Sequence, residues 1–282
     1  MNNNISAQQL KTTLVRFCLV LGLFIMIANS IVISLLSYFP HQHYSITLAA
    51  LNITACLASI LGLITIYRYG FHGIHGQSFL FLTLGIIAWF MGDLTLAYGH
   101  FVLHNEEEQS LVVSSADLYW IIGYAFFSLH LFTALRLIRR AQIHRVGVVI
   151  VIMVSGSLIA YTIILPSEFP TSGKERMVGE TRTRFIDLAL SILYPVLDLL
   201  LIIPSVVILT VHRKEYYYFI PWILSSLSLL TNAIADDGFV HHFLQGSTKE
   251  MWIWDLFFIT DYIILTSAFY WYNKFHNTLR MR

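Results

Sequence analysis

The sequence predicts an all-α integral membrane bundle of eight transmembrane helices, built from two parallel four-helix repeats. Three observations support this prediction: a strongly apolar composition, eight long apolar runs, and polar motifs that recur in the second half of the chain. Hydrophobic residues make up 57% of the chain, and its mean hydropathy is +0.69. Charged residues make up 12%, whereas soluble domains contain roughly 25%. This composition excludes a soluble globular enzyme, a disordered chain and a nucleic-acid binder.

Eight apolar runs are each longer than the roughly 18 residues that indicate a membrane-spanning helix. They cover residues 13–37, 46–68, 77–101, 113–138, 145–165, 184–211, 217–243 and 251–275. The first run is too long for the apolar region of a signal peptide, and the segment before it, MNNNISAQQ, has no basic residue. We therefore expect an uncleaved first helix. With eight spans, both chain ends lie on the same side of the membrane.

Basic residues are distributed unevenly between the two sides that these spans define. The segments on the side of the chain ends contain 12 of the 17 Lys and Arg residues, and the opposite segments contain five. Cytoplasmic segments of membrane proteins are enriched in Lys and Arg. We therefore expect a multi-pass protein of the cytoplasmic membrane, with both termini in the cytoplasm.

An internal repeat is indicated by polar residues at matched spacing in the two halves. The matched pairs are Asp93 with Asp236, Asp117 with Asp255, and Tyr124 with Tyr262. Each aspartate–tyrosine pair is separated by seven residues, which is two helical turns and places both side chains on one helix face. The alignment divides the chain into repeats at 1–140 and 141–282. Since four spans return the chain to its starting side, the two repeats run in the same direction.

All eight aspartates lie inside predicted spans, whereas all eight glutamates lie in loops or at their edges. A carboxylate at membrane depth costs at least about 2.5 kcal/mol, so each aspartate should face the bundle interior and have partners there. In the sixth run, Asp187, Tyr194 and Asp198 share one face with Ser191. The candidate ligand- or ion-binding residues are Asp93, Asp117, Tyr124, Asp187, Tyr194, Asp198, Asp236, Asp255 and Tyr262.

Two interpretations of these residues stay open. In the first, Asp93, Asp117, Asp187, Asp236 and Asp255 converge around one outward-facing cavity, because all five lie near the same membrane face. In the second, each aspartate bonds separately to a neighbouring helix and fixes the packing of the bundle.

Histidines suggest a divalent metal as an additional ligand. His100 and His104 continue the helix face of Asp93, and Asp237 is followed four residues later by His241. Imidazole and carboxylate groups bind divalent metals when three or four of them converge. Retinal is not expected, because Lys249 and Lys274 lie at the ends of the last span and not within it.

The segment SADLYWIIGY at 115–124 resembles a pattern found in the multispan membrane sensor regions of bacterial signalling proteins, including some diguanylate cyclases. The run HGQSFLFLTLGIIAWFMGDL at 75–94 is similar to uncharacterised polytopic membrane proteins of ammonia-oxidising archaea. The resemblance implies a sensory role in which Asp93, Asp117 and Tyr124 occupy recurrent polar positions. Because no output domain follows the last span in this sequence, that role would require a separate signalling or complex subunit.

The favoured function is a sensor- or receptor-like membrane protein with an outward-facing polar cavity for a small ligand or ion. The alternatives are a proton- or cation-coupled transporter or channel and, third, a membrane-embedded metal-dependent or aspartyl enzyme. The inner halves of the spans are almost entirely apolar apart from His130, which favours binding over passage. Membrane lipid is the expected surrounding partner, and nucleic acid is not expected.

Overall fold

Helices account for all the regular structure in the part of the chain that the computed structural model describes, namely residues 7–104, 114–136, 178–211, 216–244 and 251–280. The seven helices are α1 (Ala7–Tyr38), α2 (His43–Tyr69), α3 (Gly73–Phe101), α4 (Ser115–Leu135), α5 (Val178–Val211), α6 (Tyr216–Leu244) and α7 (Trp252–Arg280). Each contains a segment long and apolar enough to cross a membrane. The predicted all-helical membrane fold is confirmed at this level, and the chain is compatible with a multi-pass protein that contacts lipid.

Seven of the eight predicted spans correspond to these helices. The predicted span at 145–165 lies outside the described residues, so the total of eight stays a prediction. The aspartates lie mostly toward the end of the bundle that contains the α1–α2 turn at 39–42, and we call this end the acidic end. The opposite end contains the α2–α3 turn at 70–72.

Local sequence explains where two of the helices begin and end. α4 begins with a capping box, in which the Ser114 side chain accepts a hydrogen bond from the Ala116 N–H at 3.2 Å. In return, the Asp117 carboxylate accepts one from the Ser114 N–H at 2.7 Å. Such a box satisfies donors that the first helical turn leaves unpaired. α2 ends at Tyr69, and the next residue, Gly70, has a φ of 71°, which lies in the region that favours glycine.

Helix packing follows a matched pattern in the two halves of the chain. α3 packs on α4 as α6 packs on α7, and α2 packs on α3 as α5 packs on α6. Across the halves, α2 packs on α7, and α5 packs on α4. The shared core contains large side chains that are fully buried, among them Phe79, Phe127, Trp222 and Phe269. Each of the six helices α2 to α7 therefore packs against a helix of its own half. Four of them, α2, α4, α5 and α7, also pack against a helix of the other half.

The α3–α4 contact is close because two glycines lie at the crossing. A Cβ on Gly123 would lie 2.1 Å from Cδ1 of Trp89, and a Cβ on Gly85 would lie 2.7 Å from Cδ1 of Phe127. Small residues at helix crossings let the backbones approach each other inside a membrane. The α3–α4 pair therefore depends on the absence of a side chain at these positions.

We predict that Gly123→Ala destabilises the protein by about 1–3 kcal/mol, because the added methyl group overpacks the helix crossing. Gly22→Ala is the matched control, since a Cβ at Gly22 meets nothing within 4 Å. Thermal unfolding of the purified protein in detergent measures both changes. Equal unfolding midpoints for the two variants would contradict the close α3–α4 contact.

Candidate functional site

Tyr124 joins two aspartates from different helices. Its hydroxyl on α4 lies within hydrogen-bond distance of Oδ1 of Asp198 on α5, at 2.7 Å, and also of Oδ2 of Asp236 on α6. Both Tyr124 and Asp198 are only 2% exposed. A tyrosine hydroxyl has one proton to donate, so at any moment it donates to one carboxylate and not to the other. Asp236 accepts a second hydrogen bond from Nδ2 of Asn232, at 2.9 Å.

The carboxyl groups of Asp198 and Asp236 also interact electrostatically with each other. Ionised carboxylates are acceptors only, so neither can donate a hydrogen bond to the other. Oδ2 of Asp198 accepts no hydrogen bond from any donor in the described part of the chain. The carboxylate oxygens of Asp198 and Asp236 therefore outnumber the hydrogen-bond donors that the described residues offer them.

Asp93 is held by donors from two other helices. Tyr262 on α7 donates its hydroxyl proton to Oδ2 of Asp93 at 2.7 Å, and the indole N–H of Trp120 on α4 donates to Oδ1 at 3.2 Å. Asp93 is 4% exposed. Its carboxylate is close enough to Asp236 for the two charges to interact.

The two tyrosine–aspartate bonds are reciprocal between the halves of the sequence. Tyr124 in the first half bonds to Asp236 in the second, and Tyr262 in the second half bonds to Asp93 in the first. Sequence analysis predicted all four residues and paired each with its counterpart. It did not predict that each tyrosine would bond to the aspartate of the other half.

Asp261 is a buried carboxylate that sequence analysis did not select. Its side chain is 0% exposed, and Oδ1 accepts a hydrogen bond from the hydroxyl of Ser228 on α6. Oδ2 has no partner among the described residues. The repeat alignment gave no reason to choose it, because the matching position in the first half is Gly123. Its position next to Tyr262, inside a span, was the signal that could have found it.

We call Asp93, Asp198, Asp236 and Asp261 the acid cluster. Asp261 interacts electrostatically with both Asp93 and Asp236, and Asp236 links Asp93 to Asp198. The hydrogen-bond donors that the described residues offer to these four groups are tyrosine, tryptophan, asparagine and serine. Within that described set, none of these partners is a lysine or an arginine. The negative charge of the cluster is therefore not balanced by any of these donors.

Asp117 and Asp255 lie nearer the ends of their helices. Asp117 belongs to the α4 capping box and also accepts a hydrogen bond from the Tyr194 hydroxyl at 2.5 Å. The Tyr194 ring packs against the Tyr124 ring, with centroids 6.1 Å apart, so these two aromatic rings connect Asp117 to the acid cluster. Asp255 lies near the Thr47 side chain, whose hydroxyl donates to the Tyr44 carbonyl oxygen at 3.3 Å, and it interacts electrostatically with Asp93.

Of the five aspartates predicted to converge, Asp93 interacts electrostatically with Asp236 and with Asp255, and their convergence around one outward-facing cavity stays a prediction. Asp117 has a local capping role. Asp187 belongs to α5, but its side chain lies outside the described residues. Whether any of these residues binds a ligand stays a prediction.

The predicted metal-binding residues are not brought together in the described part of the chain. Nε2 of His100 lies 2.8 Å from the Ser45 hydroxyl, and its ring packs edge-on against Tyr44. His104 lies just beyond the end of α3 and is exposed, and Asp237 is exposed on α6. No group of three His, Cys, Asp or Glu side chains suited to a metal occurs among the described residues. The side chain of His241 lies outside them, and the metal centre stays a prediction.

The chain matches no protein-family model, no curated protein and no solved structure.

We predict that Tyr124→Phe lowers the free energy of unfolding by about 1.5–3 kcal/mol, because the lost hydroxyl donates to a buried acidic group. Tyr67→Phe is the matched control, since Tyr67 is 92% exposed. Loss of its hydroxyl should change the free energy of unfolding by no more than about 0.5 kcal/mol. Thermal unfolding in the same detergent measures both variants. A Tyr124→Phe midpoint equal to that of Tyr67→Phe would contradict the bridge between Asp198 and Asp236.

Proposed function

We propose that this protein is a receptor-like membrane protein that binds a small cation, either an alkali ion or a protonated amine, at the acid cluster. The observation that carries the proposal is the competition of Asp198 and Asp236 for the single hydroxyl proton of Tyr124. The two carboxylates come from different helices, so the site exists only in the folded bundle. Their described partners include no basic side chain.

Charge compensation is the reason for choosing a cation. Burying an ionised carboxylate without a positive partner is very unfavourable, so such groups take up a proton, pair with a cation or coordinate one. The unpartnered Oδ2 atoms of Asp198 and Asp261 offer two free acceptors for that purpose. Carboxylate, amide and hydroxyl oxygens suit hard cations and ammonium groups better than soft transition metals.

A cation site of this kind favours a receptor over a membrane-embedded enzyme. Binding requires only that the site be reachable from one side, and the acid cluster lies toward the acidic end of the bundle. Transmission of the signal would pass to a separate subunit, as the resemblance to bacterial sensor regions implies.

Two parallel four-helix repeats are the architecture that we propose for the bundle. The reciprocal bonds of Tyr124 and Tyr262, and the matched packing of helices in the two halves, support it. If a two-fold axis along the membrane normal relates the two repeats, the acid cluster lies between them. An experimental structure whose halves fail to superpose by such a rotation would contradict the proposal.

A face of α4 further supports the eighth span at 145–165. The large side chains on this face are exposed: Leu118, Ile122, Leu129 and Phe132. The positions that match this face in the repeat lie on α7 and contact α1. There, Thr260 accepts a hydrogen bond from Asn29 at 2.9 Å, and Tyr270 stacks on Phe17. A span at 145–165 would cover α4 as α1 covers α7.

Cation binding should raise the thermal stability of the wild-type protein by about 2.7 kcal/mol at a cation concentration of 100 times Kd. The probes are sodium, potassium and methylammonium, with N-methylglucamine at equal ionic strength as the bulky control cation. Asp198→Asn and Asp236→Asn should each abolish the increase, because they remove a charge from the site. Asp237→Asn should retain it, since this neighbouring carboxylate is exposed. If no probe stabilises the wild type, or if Asp236→Asn responds as the wild type does, the proposed function is wrong.

The acidic end should face the outside of the cell, because the basic residues predict cytoplasmic termini. Single cysteines at the two described turns test this in a background of Cys18→Ala and Cys56→Ala. A membrane-impermeant thiol reagent added to intact cells should label His41→Cys and leave Phe71→Cys unlabelled until the cells are lysed. Both turn positions are exposed in the structure. The reverse labelling pattern would place the acid cluster toward the cytoplasm.

A further inference from the structure

A row of polar side chains, one half-buried and the others buried, runs along α6 from the acid cluster toward the opposite end of the bundle. It consists of Asp236, Asn232, Ser228 and Ser225, at spacings of four, four and three residues, which place them on one helix face. We call these residues the α6 stripe. Asn232, Ser228 and Ser225 are all buried. The stripe spans 11 residues, or about 16 Å of helix at 1.5 Å per residue.

The outer part of the stripe is connected to the acid cluster at two points. Asp236 is itself a member of the cluster and accepts a hydrogen bond from Asn232. Two turns of α6 deeper, Ser228 donates its hydroxyl proton to Asp261. Because the other oxygen of Asp261 is buried without a described partner, this carboxyl group has an acceptor site available for a proton.

The inner part of the stripe ends at a fully buried histidine. Nε2 of His130 lies 2.9 Å from the Ser225 hydroxyl, and Nδ1 lies 2.9 Å from both the hydroxyl and the carbonyl oxygen of Ser78 on α3. The indole N–H of Trp222 donates to the Ser78 hydroxyl at 3.1 Å. A neutral imidazole has one donor and one acceptor nitrogen, so it can accept a proton at one side and release it at the other.

Beyond His130, an exposed histidine near the opposite end of the bundle follows by ring contact and chain position, and no hydrogen bond among the described residues joins it to Ser78 or His130. His75 lies one turn before Ser78 on α3, its ring centroid is 5.0 Å from that of Trp222, and it is exposed. Polar groups therefore extend from the acid cluster, through the middle of the bundle, to an exposed residue next to the α2–α3 turn. The sequence had indicated that the inner halves of the spans are apolar apart from His130. That description was incomplete, because it considered charged and aromatic polar residues and left out the buried serines Ser78 and Ser225.

We propose that Asp236, Ser228 with Asp261, and Ser225 with His130 and Ser78 form a proton path between the acid cluster and His75. The proposal deepens the proposed function, because it starts from the same cluster. A proton that binds a cluster carboxyl group moves inward by successive transfers, in which each group gains one proton and releases one. Only O–H and N–H bonds form and break, so no oxidant or reductant is needed.

Successive members of the path are separated by no more than about one or two helical turns. The shortest gaps are direct hydrogen bonds, from Ser225 to His130 and from His130 to Ser78. The longer steps along α6, from Asp236 to Ser228 and from Ser228 to Ser225, span about 12 Å and about 4.5 Å of helix. A single water molecule can bridge the shorter step, and the longer one requires a chain of water molecules. The proposed path would let protons cross the bundle, whereas the apolar inner halves of the spans favoured ligand binding over passage.

The test is proton flux into liposomes that contain the full chain and a pH-sensitive dye. A potassium gradient with valinomycin sets the membrane potential in either direction. The wild type should conduct protons, and His130→Gln and Asp261→Asn should each reduce the flux by about tenfold or more, because each removes a proton-carrying group. His43→Gln is the matched control, since His43 lies at the start of α2 and its Nε2 is 3.1 Å from the carbonyl oxygen of Leu36 on α1; it should conduct as the wild type does.

Elution in gel filtration and the thermal midpoint establish that each variant is folded. If His130→Gln does not fold, Ser225→Ala replaces it, because this change removes the hydroxyl next to His130 and leaves the ring in place. Wild-type flux equal to that of empty liposomes at both polarities would overturn the path. So would full flux in the folded His130→Gln, Asp261→Asn or Ser225→Ala variants.

The outcomes for the path and for the proposed function are distinguishable. Cation-dependent stabilisation without proton flux would leave the cation site in place and remove the path. Proton flux without stabilisation by any cation would support the path and reject the cation receptor, leaving the acid cluster as a proton site.

Discussion

The cost of a carboxylate inside a membrane is the constraint on which the rest of the structure depends. The three buried aspartates of the acid cluster and the half-buried Asp236 require hydrogen-bond donors or positive charge, and the donors that the described residues supply come mainly from other helices. Tyr124 connects α4 to α5 and α6, Tyr262 connects α7 to α3, and Ser228 connects α6 to α7. The acid cluster thus ties five helices together. Removing it would leave these helices packed by apolar contacts that lipid can also provide.

The two interpretations of the aspartates, packing and ligand binding, apply to different residues. Asp117 fits the packing interpretation, because its capping box and Tyr194 satisfy its carboxylate locally. Asp93 has a donor for each oxygen. Asp198 and Asp261 differ, since each keeps a buried oxygen without a partner in the described part of the chain. Under the proposed function, an exchangeable cation or proton occupies those two oxygens.

Much of the fold could be predicted from the sequence, because long apolar runs and low charge are local properties of the chain. The capping box was also readable: Ser114 and Asp117 have the spacing of that motif at the start of an apolar run. The pairing of Tyr124 with Asp236 was not, because these residues are 112 positions apart and the repeat alignment favoured no partner. Asp261 and Ser228 were missed because neither has a polar counterpart in the first half: Gly123 and Gly85 lie there. Those glycines serve close packing instead.

At the proposed site, protons or a bound cation compensate the charge of the acid cluster and exchange with the surroundings. Infrared absorption of the protonated carboxyl C=O group measures this directly in the reconstituted protein at neutral pH. The account predicts a protonated-carboxyl band in the wild type that weakens when a stabilising cation is added, and that is smaller in Asp198→Asn and Asp236→Asn. A spectrum without that band, unchanged by every cation and identical in the wild type and both variants, would contradict the account.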